Sequence, residues 1–314
     1  SILLSLIMFL VSLINTLFLV KPKLDLKIIG EFFKDSVVFS LNDFFMNIYA
    51  RIGIVILSFF HNLFVVGIYS VAVRFTKIAS VLPRQIRFAL LPTMYRLLSP
   101  EMTVEETKDK KALIEKNLNK SRQVFNILLK YMVIFAVPLT LIVFYFSEFI
   151  IRLIFGNKYD ASIPYVQVLC LFIFLRFIET PFALFYLGLN KHKNLVTMQG
   201  IASLLNVILC LALIPVYFAY GAAIATVISE IIFALIVIIY GLRFSIWQIQ
   251  GVLLRFFTPI FIGVMSLWFT IVLFSNTNVF VQLLFLGMAY IVFLFISRQF
   301  GKEDKKLLKR ILRK

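Results

Sequence analysis

The segment YVQVLCLFIFLRFIETPFALFYLGL, residues 165–189, is almost entirely apolar along 25 residues. As an α-helix it would be about 37 Å long, which is enough to cross the ~30 Å hydrocarbon core of a bilayer. Arg176 and Glu179 lie near its centre, although a charged side chain there costs about 2.5–3.5 kcal/mol. The segment therefore predicts a membrane-spanning helix whose charged side chains face a protein interior or a polar cavity.

The composition of the whole chain agrees with a membrane protein. Its 314 residues are 61% hydrophobic and 15% charged, with a mean hydropathy of +0.98, whereas a soluble domain has roughly 45–50% apolar and about 25% charged residues. Because the apolar runs are continuous, they predict an all-α polytopic membrane protein with nine transmembrane helices. The predicted spans lie near residues 2–20, 36–59, 65–83, 124–146, 164–189, 195–214, 221–240, 256–274 and 279–297.

Lys and Arg are distributed unevenly among the predicted loops. If every second loop is cytoplasmic, beginning with residues 21–35, these loops hold 25 of the 32 Lys and Arg. The alternate loops hold only Arg152 and Lys158. Cytoplasmic loops of membrane proteins carry such an excess. The net charge of +17 therefore indicates topology rather than nucleic-acid binding, and the C-terminus is predicted to be cytoplasmic.

The beginning of the chain predicts that part of the protein precedes Ser1. The sequence enters an apolar run at once, without the basic leader of a signal peptide. The charge rule places this first residue outside the cytoplasm. A protein that starts in the cytoplasm would therefore have an odd number of earlier spans, and we expect an N-terminal portion that this sequence lacks.

Seven charged residues near the middle of predicted spans carry the functional signal. Facing lipid, they would cost on the order of 20 kcal/mol, more than the net stability of a typical fold, so we expect them to face inward. Helical spacing places Asp43 with Arg51 on one face, and Arg74, Lys77 and Arg84 on another. The seven residues are Asp43, Arg51, Arg74, Lys77, Arg176, Glu179 and Glu230.

The predicted spans together hold five basic and three acidic residues, which leaves a formal charge of +2 and favours an anionic ligand. Two structural alternatives stay open. Arg176 and Glu179 are compatible with a purely structural ion pair, and the polar line through Gln199, Ser203 and Asn206 with interhelical packing. Apart from the charges, two prolines within spans, Pro138 and Pro181, are predicted hinges because proline interrupts a helix.

Motifs of several enzyme classes are absent from the sequence. It contains no GxxxxGKS/T phosphate-binding motif, no HExxH and no paired His or Cys at metal-ligand spacing. Cys170 and Cys210 fall within predicted spans and are expected to be packing residues. We therefore expect a protein that is not an enzyme and that needs no cofactor or metal.

Five segments resemble a known family. They are GIYSVAVRF (67–75), ALLPTMYRL (89–97), LIFGNKYDASIPYVQVL (153–169), LGLNKHKN (187–194) and NVILCLALIPVYFAYGAAIATVISE (206–230). The chain resembles the polysaccharide-lipid flippases, or Wzx-like O-antigen transporters, of the MATE-like multidrug/oligosaccharidyl-lipid/polysaccharide exporter superfamily. It departs from their pattern at Phe218, where such proteins often have glycine.

The resemblance implies a MATE-like bundle of two six-helix lobes around a chamber, with the first lobe largely missing. On this arrangement residues 1–20 are the last helix of the N-terminal lobe, and residues 21–240 form the C-terminal lobe with a cytoplasmic loop or helix at 96–123. Residues 241–297 are two additional helices, and residues 298–314 are a basic cytoplasmic tail.

The resemblance also implies a function. A polyprenyl-diphosphate-linked oligosaccharide would cross the bacterial cytoplasmic membrane by alternating access, for the synthesis of lipopolysaccharide or another surface polysaccharide. Polysaccharide polymerase and chain-length machinery are expected protein partners. The expected anion contacts are Arg51, Arg74, Lys77 and Arg176, and the expected ion-coupling or pairing carboxylates are Asp43, Glu179 and Glu230.

Two rival functions stay open. A MATE-type drug or cation antiporter would favour acidic rather than basic chamber residues. A non-transporting membrane scaffold for glycan-assembly enzymes would use its polar stripes for assembly instead of transport.

Overall fold

The computed structural model of the protein describes residues 7–8, 11–12, 26–98, 110–242, 249–274 and 277–297. Almost all of these residues are helical. In chain order the helices are α1 (Leu26–Phe60), α2 (Leu63–Ala79), α3 (Val81–Leu98), α4 (Lys110–Tyr145), α5 (Ser147–Phe155), a 3₁₀ helix (Asn157–Ser162), α6 (Ile163–Gly188), α7 (His192–Leu242), α8 (Ile249–Phe274) and α9 (Val279–Ile296).

The chain divides into two compact units, Ser1–Leu41 and Asn42–Lys314. The first unit contributes the beginning of α1 and a few helical residues before it. The second unit contains the end of α1 and all later helices, and every contact described below lies within it. The predicted span over residues 2–20, the tail at 298–314 and the side chain of Asp43 lie outside the described part of the structure.

Within the described residues, six helical segments are long and apolar enough to cross a membrane. A further apolar helix over Phe44–Phe60 is shorter. The fold is therefore all-helical with several candidate spans, as the sequence predicts, whereas the count of nine spans and the division into lobes stay predictions. The six segments are Leu63–Leu98, Leu118–Tyr145, Asn157–Gly188, His192–Gly241, Phe257–Phe274 and Val279–Ile296.

Helix α7 is a hairpin rather than one straight rod. Its 51 residues are interrupted at Phe218, where φ is 57° and ψ is −135°. The side-chain amide of Asn194 contacts the hydroxyl of Tyr240, so the beginning and the end of α7 lie side by side. The hairpin accounts for two of the predicted spans, and we name its arms α7a (192–217) and α7b (219–242).

Two aromatic side chains meet at the tip of this hairpin. Phe218 adopts a backbone conformation that favours glycine and costs a larger residue about 1–3 kcal/mol. Its ring packs against His61, with the ring centroids 4.2 Å apart, and His61 Nε2 lies 3.2 Å from the carbonyl oxygen of Ile214. These contacts join the tip of α7 to the turn between α1 and α2.

Helix α6 is the centre of the second unit. It packs against α2, α3, α4 and α7. Edge-to-face aromatic contacts join it to α4, because the ring of Phe125 meets Phe182 at 5.0 Å and Phe185 at 5.9 Å. Since lipid gives no hydrophobic drive for helix association, such close packing has to hold the bundle together.

The two predicted hinge prolines lie inside continuous helices. Pro138 is half-buried in α4, and Pro181 is buried in α6. Each lacks a backbone N–H and therefore leaves the carbonyl four residues earlier without its helical donor. At Pro138 this carbonyl belongs to Ile134, and it accepts a hydrogen bond of 3.0 Å from the hydroxyl of Tyr290 in α9.

A glycine-to-alanine pair tests the hairpin. A Cβ at Gly221 would overlap the carbonyl oxygen of Leu213. G221A should therefore destabilise the protein in detergent by about 1–3 kcal/mol, the usual cost of overpacking. Gly67 in α2 has open space around its Cβ position, so G67A should be neutral or stabilise by up to about 1 kcal/mol. Equal melting temperatures for the two variants would contradict the close approach at the hairpin tip.

Candidate functional site

A cavity of about 730 Å³ lies between α1, α2, α3, α6 and α7b in the second unit. Five basic side chains and one acidic side chain line it. Tyrosine hydroxyls, threonines and a serine supply further polar groups. The charged lining residues are Arg51, Lys77, Arg84, Arg87, Arg176 and Glu179.

Arg176 is held by two carboxylates. Its Nε lies 2.7 Å from Oε1 of Glu230, and its Nη2 donates to Oε2 of the same residue at 3.2 Å. On the other side, Nη1 donates to Oε1 of Glu179 at 2.7 Å. Both glutamates are buried, at 6% exposure for Glu179 and 0% for Glu230. The guanidinium therefore joins two acidic residues that come from α6 and α7b.

Helix α1 joins this group through Tyr49. The Tyr49 hydroxyl lies 2.8 Å from Oε2 of Glu230 and 3.0 Å from the carbonyl oxygen of Thr226. The rings of Tyr49 and Phe172 are stacked, with centroids 6.4 Å apart. Arg176 Cζ lies 5.6 Å from the first ring centroid and 4.9 Å from the second, within the range of cation–π attraction. We name Tyr49, Arg176, Glu179 and Glu230 the arginine cluster.

The arginine cluster places one positive charge against two buried carboxylates. One guanidinium faces two carboxylates, which gives a formal charge of −1 when both are ionised. The ion pair with Glu230 is close, and one hydrogen bond from Nη2 gives it a direction. An incoming anion would have to displace one of these carboxylates in order to reach Arg176. Together, the contacts among the four residues of the arginine cluster cross-link α1, α6 and α7b.

The remaining four basic lining residues come from α1, α2 and α3. They are Arg51, Lys77, Arg84 and Arg87. Among the ion pairs that the structure describes, none involves these four side chains. Arg87 is half-buried, whereas the other three are exposed. Close, like-charged groups in a partly enclosed site favour the binding of an anion.

The structure brings some of the residues that the sequence singled out into one cavity and places others outside its lining. Lys77, Arg51, Arg176 and Glu179 line one cavity, and Glu230 lies directly behind Arg176. Arg74 is exposed on α2 and is not among the lining residues. Neither Pro138 nor Pro181 lines the cavity.

Sequence reasoning missed Tyr49 and counted Arg87 only as a topology signal in a cytoplasmic loop, whereas it placed Arg84 on the same helix face as Lys77. In the structure α3 follows α2 after a turn at Ser80, and its first turns belong to the cavity wall. Lys77, Arg84 and Arg87 stand at offsets of 0, 7 and 10, close to one face of a continuous helix. The position of Arg87 is a usable signal once the helix is continued past residue 83.

Comparisons with known proteins agree with this fold. The MatE family model matches residues 112–212, which run from α4 into α7a. No curated protein matches the chain. A solved structure of "Lipid II flippase MurJ, inward closed conformation" is similar, with a TM-score of 0.66 and 18% sequence identity. The alignment covers 91% of this chain and 58% of that one.

The chain thus spans 58% of the length of this solved structure, and the likeness establishes a MurJ-like helical fold. Together with the six long apolar helices and the MatE match, this fold indicates a multi-pass membrane protein.

Replacing Arg176 tests the cross-link. R176Q leaves two buried carboxylates without a cation, a change that typically costs 3–5 kcal/mol, so it should lower thermal stability in detergent by about that amount. R74Q changes an exposed arginine of α2 and serves as the matched control, with an expected change within about 0.5 kcal/mol.

A second substitution tests whether the unpaired negative charge causes the loss of stability. E230Q in the R176Q background neutralises one of the two carboxylates, so the double variant should recover part of the lost stability. If R176Q melts at the same temperature as R74Q, the cross-link does not hold the bundle.

Proposed function

We propose that this protein is a flippase of the MOP superfamily that moves a polyprenyl-diphosphate-linked oligosaccharide across the bacterial cytoplasmic membrane by alternating access. The observation that carries the proposal is the charge of the cavity, where four basic side chains of α1, α2 and α3 stand beside an Arg176 that is already paired with two carboxylates. A volume of about 730 Å³ accommodates a head group of several rings. The MurJ-like fold and the MatE match support transport rather than catalysis.

The proposed anion contacts are the four basic residues outside the arginine cluster. Arginine binds phosphate oxygens in a bidentate manner, and lysine provides a compact charge. Arg84 and Arg87 lie one turn apart on α3 and can contact neighbouring phosphates. Arg51 and Lys77 approach from α1 and α2. Arg74 is proposed to attract the anion during its approach, because it is exposed near this wall.

The acidic residues receive a different role. Glu179 and Glu230 are proposed to hold Arg176 in place, because both contact its guanidinium. An ion-coupling role for either residue would require the ion to replace Arg176 as its partner. The role of Asp43 in pairing or ion coupling is proposed from the sequence alone.

The remaining parts of the proposal concern the whole protein. Residues 21–240 are proposed to form one lobe of a two-lobe transporter, with residues 241–297 as two additional helices and a cytoplasmic C-terminus. Polysaccharide polymerase and chain-length machinery are proposed partners. A drug antiporter of the same superfamily would need to attract cations, which the lining charges repel. A pure scaffold would have no use for a cavity of this size.

A binding measurement tests the anion contacts. The probe is a short polyprenyl-diphosphate disaccharide added to the full-length protein in nanodiscs. R84Q and R87Q should each weaken binding roughly 10- to 100-fold, the worth of a hydrogen bond to a charged group. G67A is the control, because it lies on α2 away from the cavity. Unchanged affinity in the R84Q/R87Q double variant would remove α3 from the anion site.

A gene deletion distinguishes the rival functions. Cells that lack the full-length gene should accumulate lipid-linked oligosaccharide on the cytoplasmic side and lose surface glycan, as measured by lipid extraction and mass spectrometry. The accumulated lipid would identify the cargo. Normal lipid-linked sugars with new sensitivity to cationic dyes would support the antiporter instead.

A further inference from the structure

The proline of α4 creates a backbone acceptor that α9 satisfies. Pro138 has no N–H, so the carbonyl oxygen of Ile134 lacks its donor within the helix. The Tyr290 hydroxyl donates to this oxygen at 3.0 Å, and the hydrogen bond is buried. Tyr290 itself is 4% exposed. A side chain from a different helix thus replaces the missing backbone donor.

An apolar environment makes this replacement important. Water is excluded from the interior of a membrane bundle, and an unsatisfied carbonyl there is costly. Ile134 and Val137 are both buried, at 5% and 4% exposure. Tyrosine suits the position because its ring packs against apolar neighbours while its hydroxyl reaches a polar partner.

Helix α8 also lies close to α4 around Pro138. A Cβ at Gly263 would overlap Cγ1 of Val137 and lie 3.0 Å from Cδ1 of Leu141, so only glycine lets α8 approach this closely. The same Cβ position lies 3.6 Å from the ring of Tyr290. Along α4, Tyr290 therefore contacts the chain before Pro138, and Gly263 packs next to Val137 and Leu141, which precede and follow the proline.

We propose that Tyr290 is a positioning residue that holds α4 bent at Pro138, so that the α8–α9 hairpin controls this hinge. If α4 straightens, the Ile134 carbonyl moves and its hydrogen bond to Tyr290 has to break. Helix α4 packs against α6, which carries Arg176 and Glu179. A change at the kink therefore reaches the wall of the cavity. This inference concerns the helices and does not rest on the identity of the cargo.

A double-substitution cycle tests the proposal. The measurement is hydrogen–deuterium exchange of the α4 amides around Pro138 in the full-length protein in nanodiscs. Y290F removes only the hydroxyl, keeps the packing ring and should speed exchange about tenfold. P138A supplies an N–H that can bond to Ile134, so Y290F should have no further effect in the P138A background.

Pro181 provides the matched control, because it is also a proline inside a buried helix, but in α6. The effects of Y290F and P181A on exchange should simply add. An effect of Y290F that is equally large with and without P138A would overturn the proposal and reduce Tyr290 to packing. Because exchange needs no substrate, this result is independent of the binding assay for the diphosphate lipid.

Discussion

The buried guanidinium of Arg176 is the interaction on which the arrangement of α1, α6 and α7b depends. Removing a charge from water is expensive, and the cost is recovered only when opposite charges and hydrogen bonds surround it. Glu179 lies one turn away on the same helix, but Glu230 and Tyr49 come from other helices. In a bilayer, helix association depends on packing and polar contacts instead of the hydrophobic effect. The charged group constrains the rotation of each helix strongly, because its partners have to face Arg176.

Arg176 is already paired with two carboxylates, so an anion is expected to bind to other basic residues of the cavity. Two carboxylates already occupy the guanidinium, whereas the basic residues of α1, α2 and α3 face the cavity without a described ion-pair partner. The wall with Arg176 and its carboxylates therefore holds the helices together, and the wall formed by the basic residues of α1, α2 and α3 provides positive charge. The separation has a physical advantage, since a ligand that bound Arg176 directly would break the contacts that keep the wall in place.

The sequence predicts contacts between residues that are close together in the chain, but not contacts between residues that are far apart in it. The apolar runs and the turn in α7 follow from local composition, and the pairing of Arg176 with Glu179 follows from a spacing of three residues. The contact with Glu230 spans 54 residues, so no periodic pattern signals it. Arg87 was missed for another reason, because α3 continues beyond the predicted end of the span and still lines the cavity. Polar contacts between helices needed the three-dimensional structure.

The two prolines show why a kink alone does not make a hinge. Each leaves a carbonyl without its helical donor, and the freedom of the kink depends on what satisfies that carbonyl. At Pro138 the donor is a buried tyrosine from α9, held close by the glycine contact of α8. Bending there would disturb the contacts of α4 with α8 and α9. The two helices beyond the cavity are thus mechanically connected to α4, and through α4 to the helix that carries Arg176. Helices that contribute no residue to the cavity lining can still determine its shape.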